Sequence, residues 1–296
     1  MTSSICKTLT SVRIFSYRRL PSSVGLLVPF LTRFPGLIDL DISFCNLVQI
    51  PDAIGQLSCL EGLNIGGNNF VTLPHCIKEL PKLMYLNLEY CKHLEWLPST
   101  LLPRVGGSYA RVRYTGLYAF NCPNLSDTEG STLVVISWML KMIQVNMQRS
   151  VEVVIPGRKI PRWFNKQNSG DSVDLDLSPI MDDNNWIGIA ACVTFVVHHV
   201  PTQFVGREEY LISYGFPRNR FGLIFEVPIR LKKDFITTEL DHHMVLIFFS
   251  REMLISVYAI DLEEGTSDLY GVKFATTGYH PEVVEVKSCG YRWVFI

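Results

Sequence analysis

LIDLDISFCNL (37–47), LEGLNIGGNNF (60–70) and LMYLNLEYCKHL (83–94) fall one beneath another when the sequence is written in lines of 23 residues. Each begins L-x-x-L-x-L and meets an Asn or Cys three residues later: Leu37, Leu40, Ile42 and Cys45; Leu60, Leu63, Ile65 and Asn68; Leu83, Leu86, Leu88 and Cys91. A second mark recurs alongside, at Ile50-Pro51, Leu73-Pro74 and Leu97-Pro98. Two features repeating together exclude chance. One such unit cannot bury its apolar side alone, so successive units must stack, each giving a short strand and a tight bend.

The spacing is that of leucine-rich repeats and predicts a short solenoid over residues 37–105. Its leucines point inward, and the intervening positions face out: Asp39, Asp41, Ser43 and Phe44, then Gly62, Asn64 and Gly66, then Tyr85, Asn87, Glu89 and Tyr90. Acids, amides and tyrosines along one face suit protein recognition, because tyrosine offers rigid amphipathic contact area. The candidate protein-binding residues are Asp39, Asp41, Phe44, Asn64, Tyr85, Asn87, Glu89 and Tyr90. Residues 1–36 keep no clean frame and read as a degenerate lead-in or partial repeat. Leaving four or five leucine-type side chains of the first repeat uncovered would cost on the order of 6–15 kcal/mol. The chain therefore reads as the tail of a longer repeat array, or a truncated version of one.

Beyond residue 105 the frame decays. GLYAFNCPNL (116–125) is a last half-repeat, and 126–148 turns to helical spacing. Val134, Trp138, Met142 and Val145 fall on one face, with Ser126 or Asp127 as the cap. Residues 106–150 are thus a half-repeat and a linking helix. From residue 151 to 296 short strands take over. SVDLDL (172–177) alternates strictly, as do Tyr270, Val272 and Phe274, and Val284 and Val286. IGIAACVTFVV (187–197) and MVLIFF (244–249) read as buried strands, too short to span a bilayer. Strands separated by QNSGD, DDNN, PRNR and EEGTSD predict a two-sheet β-sandwich. IPGRKIPRWF (155–164) lies near its start. Pro156 and Pro161 interrupt pairing, Gly157 permits a tight turn, Ile160 sits between them, and Trp163 with Phe164 can plug the core. It reads as a domain corner rather than a ligand loop.

Several chemistries are disfavoured by composition. A net charge of −1 supplies no field for nucleic acid or an anionic membrane. Eight scattered cysteines without a CxxC pair read as reduced, mostly buried thiols inside the cell, in cytoplasm or nucleus. His198-His199 and His242-His243 invite a metal, yet adjacent strand residues point to opposite faces. No G-x-S-x-G elbow occurs. Trp163 and Trp186, with Asp182, Asp183, Glu208 and Glu209, leave a carbohydrate-binding or carbohydrate-cleaving sandwich as an alternative, although no two carboxylates are placed at the separation hydrolysis needs. No catalytic, cofactor or metal-binding residue is expected.

The order of repeats, FNCPNL (120–125), SWMLKMIQ (137–144), VIPGRKIPRWFNKQNSGDSVDLDLSP (154–179), NNWIGIAACVTF (184–195), DHHMVLIFF (241–249) and VEVKSCGYRWVFI (284–296) resembles the C-terminal end of plant TIR–NB-ARC–LRR disease-resistance receptors. The resemblance implies a mixed fold: a short leucine-rich-repeat solenoid, then the mostly-β jelly-roll/Ig-like domain called C-JID. It implies binding of a pathogen effector or a host protein by the outward face and the β-domain loops. In that family nucleotide-driven assembly then switches on a TIR NADase. This sequence has no Gly-x-x-x-x-Gly-Lys-Ser/Thr phosphate loop and nothing resembling a TIR domain. What remains is a non-enzymatic sensor end, working with a full-length receptor or as a decoy or regulator of one. Pro156, Gly157, Ile160, Pro161, Trp163 and Phe164 match a framework motif of the family and carry structure.

Overall fold

The computed structural model describes residues 10–13, 33–98, 115–125, 129–145, 150–198, 207–215, 225–232, 242–258, 271–277 and 283–296, without the side chains of 129–131, 145, 207–211, 215, 225–232, 256–258 and 277. Two compact units emerge, Met1–Val145 and Asn146–Ile296. The first combines short strands with 3-10 turns and one helix, and the second is built mainly from strands.

In the first unit, β1 (Ser11–Arg13), β2 (Asp39–Asp41), β3 (Gly62–Asn64), β4 (Tyr85–Asn87) and β5 (Gly116–Tyr118) pair in parallel in that order. Register places Leu40, Leu63, Leu86 and Leu117 in one inward column, each at most 1% exposed. Only a repeat in the sequence gives such short strands identical partners. Pro51 and Pro74 open 3-10 turns at Asp52–Gln56 and His75–Glu79. Proline suits that place because its fixed φ fits and it has no N–H to leave unpaired. These turns bury Ile54 and Ile77. They pack so closely that a Cβ on Gly55 would lie 2.7 Å from Cys76 Cβ.

The frame extends further than the three clean repeats. β1 pairs with the outer edge of β2, Ser11 opposite Asp39, so that edge is covered by a strand the periodicity did not reveal. The half-repeat supplies β5 as a further rung. Helix α1 (Glu129–Val145) follows. Its buried residues are Val135, Ile136, Trp138, Met139, Met142 and Ile143, whereas Val134 is half-exposed. The apolar stripe is therefore wider than the expected single row and displaced from Val134, as happens when i+3 and i+4 neighbours both face inward. Ser126 and Asp127 lie outside the described residues.

The second unit holds two antiparallel sheets. The larger runs β6 (Val151–Pro156), β12 (His242–Ser250), β9 (Trp186–Val197), β14 (Val284–Phe295) and β7 (Lys166–Ser169). The smaller runs β11 (Phe225–Lys232), β10 (Arg207–Gly215), β13 (Gly271–Thr277) and β8 (Ser172–Asp174). Met244 to Phe249 on β12 and Ile189 to Phe195 on β9 are buried throughout, which is why they read as continuous apolar runs and not as alternating strands. Among the described residues its helices are α2 (Ser178–Asp182) and α3 (Arg251–Tyr258), the latter capped where Ser250 Oγ accepts the Met253 N–H at 3.1 Å. Among the described residues no helix is long and apolar enough to cross a membrane.

The alternation of SVDLDL extends as a strand only through Asp174. Beyond it the backbone of Asp176 leaves the ladder: its N–H donates to the Tyr291 hydroxyl at 2.7 Å, and its carbonyl accepts the Trp293 indole N–H at 2.8 Å. Leu175 and Leu177 stay half-buried as a result. The corner motif lies between β6 and β7. Pro156 closes β6 opposite His243, and the Gly157 N–H still donates to the His242 carbonyl at 2.9 Å. A Cβ on Gly157 would collide with the Met244 methyl. The Phe164 N–H turns back to the Pro161 carbonyl at 3.0 Å, burying Phe164 and Ile160. Trp163 is half-buried, edge-on to Phe164 at 4.9 Å, with Arg292 over its ring at 5.2 Å.

Candidate binding face of the repeats

The outward positions form rows in strict register. One row is Asp39, Gly62, Tyr85 and Gly116; the next is Asp41, Asn64, Asn87 and Tyr118. The second row has a local duty. Asp41 Oδ1 accepts the Ser43 N–H at 3.1 Å, Asn64 Oδ1 the Gly66 N–H at 3.2 Å and Asn87 Oδ1 the Glu89 N–H at 2.8 Å. Each side chain thus mimics a backbone turn and ends its strand, the property that makes Asp and Asn frequent in bends. Asp41 also pairs with Arg13 at 2.9 Å and accepts the Ser43 hydroxyl at 2.7 Å.

Three of the candidate binding residues are inside. Tyr90 is 2% exposed, Asn87 4% and Glu89 7%. For Tyr90 the cause is backbone: Phe44, Gly67, Tyr90 and Asn121 hold the same place in successive repeats and all have φ between 54° and 66°. This left-handed bend turns the side chain along the repeat axis instead of outward. Tyr90 then lies against Phe44 at 6.1 Å and Phe120 at 5.9 Å, while the half-buried Phe44 ring covers Gly67. Asn87 and Glu89 are drawn in by each other, with Asn87 Nδ2 donating to Glu89 Oε2 and Tyr85 Oη at 3.1 Å each. Asp39, Asp41, Phe44, Asn64 and Tyr85 keep part of their surface. Tyr118 was not anticipated; its ring lies 5.5 Å from Tyr85, and carrying the repeat frame into GLYAFNCPNL would have found it.

The bend position explains why Asn or Cys stands there. Asn68 Oδ1 accepts the N–H groups of Cys45 and Leu47 at 3.1 and 3.0 Å, while Nδ2 donates to the Ile42 and Ile65 carbonyls at 3.0 and 2.8 Å. Cys91 and Cys122 keep the donor half, their thiols reaching the Ile65 and Leu88 carbonyls at 3.6 and 3.1 Å. Burial pushes the Cys91 thiol up to about 12 and that of Cys122 well above its ordinary value. Both are S–H donors, not nucleophiles.

Asp39 differs from its neighbours. Burial raises its pKa, and no hydrogen bond or cation among the described residues offsets that rise. Its Oδ1 lies 2.5 Å from where a Cβ of Gly62 would stand, and Tyr85 Cδ1 lies 4.0 Å from the same point.

His198 Nε2 meets Glu285 Oε2 at 2.6 Å on the surface, with Lys287 on the other carboxylate oxygen at 2.6 Å. His243 is buried and stacks on Phe195 at 5.6 Å; His199 lies outside the described residues. Among the described residues no group of three His, Cys, Asp or Glu could hold a metal ion. Asp182 and Asp183 are exposed at the end of α2, and the side chains of Glu208 and Glu209 lie outside the described set.

Residues 35–92 match the leucine rich repeat family and residues 155–296 the C-JID domain. The chain is similar to the disease resistance protein RPP2B of Arabidopsis thaliana, 30% identical over 251 residues, covering 70% of this chain and 21% of that protein. It is 28% identical over 217 residues to the disease resistance-like protein DSC1 of Arabidopsis thaliana, covering 62% of this chain and 18% of that protein. The TMV resistance protein N of Nicotiana glutinosa is 27% identical over 182 residues, 52% of this chain and 15% of that protein. The chain thus spans about a fifth or less of the curated relatives it matches. The resemblance to plant TIR–NB-ARC–LRR disease-resistance receptors, through their repeats and C-JID domain, holds.

Proposed function

We propose that this chain, a relative of plant disease-resistance proteins carrying leucine-rich repeats and a C-JID domain, is a non-catalytic recognition module that senses a pathogen effector protein. In this reading the repeats form a short solenoid over residues 37–105 and residues 151–296 a jelly-roll/Ig-like sandwich, joined through 106–150. The effector is held by Asp39, Asp41, Asn64 and Tyr85 together with loops of the β domain, in cytoplasm or nucleus. The observation that carries it is the division of labour in the repeats. Turn and bend positions are committed to backbone bonds, whereas Asp39, its pKa raised by burial alone, and Tyr85 beside it keep part of their surface along one row of the face. Rigid aromatic and charged positions on a scaffold are what protein hot spots are made of.

Immobilised full chain incubated with candidate effector proteins tests this. Capture lost in Tyr85→Ala, with an unchanged melting temperature, supports the repeat face. Capture untouched by that variant moves the site to the β-domain loops, and no capture of any effector refutes the reading. Tyr90→Ala is unsuitable for the purpose, because it opens the interior.

A further inference from the structure

We propose that Asp39, Gly62 and Tyr85 together receive an arginine side chain of a protein partner, the guanidinium pairing with the Asp39 carboxylate and stacking on the Tyr85 ring. The inference rests on the outward face of the repeats being a protein-binding face and names what that face selects.

The geometry comes from one row of the repeats. Asp39, Gly62 and Tyr85 are direct register partners on β2, β3 and β4. With no side chain at Gly62, the carboxylate leans over β3 into space a Cβ would take, and the tyrosine ring borders the same point from the other side. An anion and an aromatic ring are thereby set on either side of the same glycine.

Charge decides the occupant. Asp41 is already paired with Arg13 and bonded to Ser43, and Glu89 is buried with Asn87. Asp39 has neither kind of partner among the described residues, and partial burial works against its ionised form. A half-desolvated carboxylate without a partner is costly to the free protein and becomes favourable once a cation arrives. The adjoining ring selects among cations. Guanidinium is planar, weakly hydrated and stacks on aromatic faces, whereas ammonium holds its water more tightly and lacks a flat surface. A phosphate-rich partner is disfavoured by the same carboxylate.

The test uses the ¹⁵N-labelled full chain titrated with N-acetylarginine methylamide, and with its citrulline counterpart, which keeps the shape and loses the charge. Saturable amide shifts centred on residues 39, 62 and 85 with arginine, and none with citrulline, are expected. Asp39→Asn should weaken arginine binding roughly three- to tenfold. Gly62→Ala should do likewise by displacing the carboxylate, at little cost in melting temperature, because the atom it strikes ends a flexible side chain. Equal response to citrulline, parent-like binding by Asp39→Asn, or shifts centred elsewhere overturn the proposal. A lysine analogue binding as well as arginine overturns the stacking half. If arginine fails while Tyr85→Ala still abolishes effector capture, this inference falls and the binding face stands. Arginine binding without any effector capture gives the reverse result.

Discussion

Replacing Asn68 with alanine tests whether one buried amide fastens two repeats. The side chain is 1% exposed and makes four bonds of 3.1 Å or less, two accepted from the amides of Cys45 and Leu47 and two donated to the carbonyls of Ile42 and Ile65. Alanine leaves both amides without their acceptor inside the core. At about 1–3 kcal/mol for each buried donor left unmade, the loss is about 2–6 kcal/mol. Domains have about 5–15 kcal/mol in all, so the repeats should be close to unfolding. Asn68→Cys discriminates further. It copies Cys91 and Cys122, whose thiols donate to a neighbouring carbonyl, but sulfur is a weak acceptor and cannot satisfy two amides. It should fall between parent and alanine. Hydrogen exchange at the amides of residues 45 and 47 is the assay, since two units need not unfold together and a single melting curve would blend them. A loss below about 1 kcal/mol in Asn68→Ala, or unchanged protection of those two amides, refutes the reasoning.

Three further perturbations follow from the same structure. Burial raises the folded pKa of Asp39 above its unfolded value, so its ionisation costs stability above the folded pKa and costs nothing below the unfolded one. Asp39→Asn should therefore melt higher than the parent at pH 7, with the gain shrinking as pH falls toward the carboxylate range; a gain independent of pH contradicts this. Gly188→Ala on β9 should destabilise the larger sheet by about 1–3 kcal/mol or more, because its methyl meets the Phe249 carbonyl and the Phe248 ring, and a urea midpoint equal to the parent's would refute it. Ellman's reagent on the native chain should label half-buried Cys59 well before Cys91, Cys192 or Cys289, whose thiols burial pushes up, to about 12 for Cys91 and Cys289. Mass mapping that finds those three modified first would contradict their burial.

What was legible in the sequence was whatever repeats or runs long. The columns through Leu40, Leu63 and Leu86 followed from spacing alone, and the interior strands β9 and β12 from unbroken apolar stretches. The unread parts depend on one partner far away in the chain. Nothing local ends β8 at Asp174; the Tyr291 hydroxyl and Trp293 indole, more than a hundred residues later, claim the next peptide. β1 was missed because Ser11–Arg13 carries no leucine frame and is held by pairing with Asp39–Asp41. The inward turn of Tyr90 was hidden for a different reason. A periodic pattern gives the alternation of a strand, while the left-handed bend at its end breaks that alternation.

The same distinction bears on how recognition can vary without the scaffold failing. Asp41, Asn64 and Asn87 look like a variable polar surface, yet each terminates a strand, so a change there alters the turn as well as the contact. Asn68, Cys91 and Cys122 are fixed more firmly still, by backbone groups that would otherwise be buried unpaired. Asp39 and Gly62 on the first row end no strand with a side-chain bond, and Asp39 works against stability at neutral pH. A position that the fold does not need, and partly resists, is where binding specificity can change at least cost. Under the proposed recognition role, selectivity would sit at Asp39 and its neighbours on the first row of the face, with the second row serving the backbone.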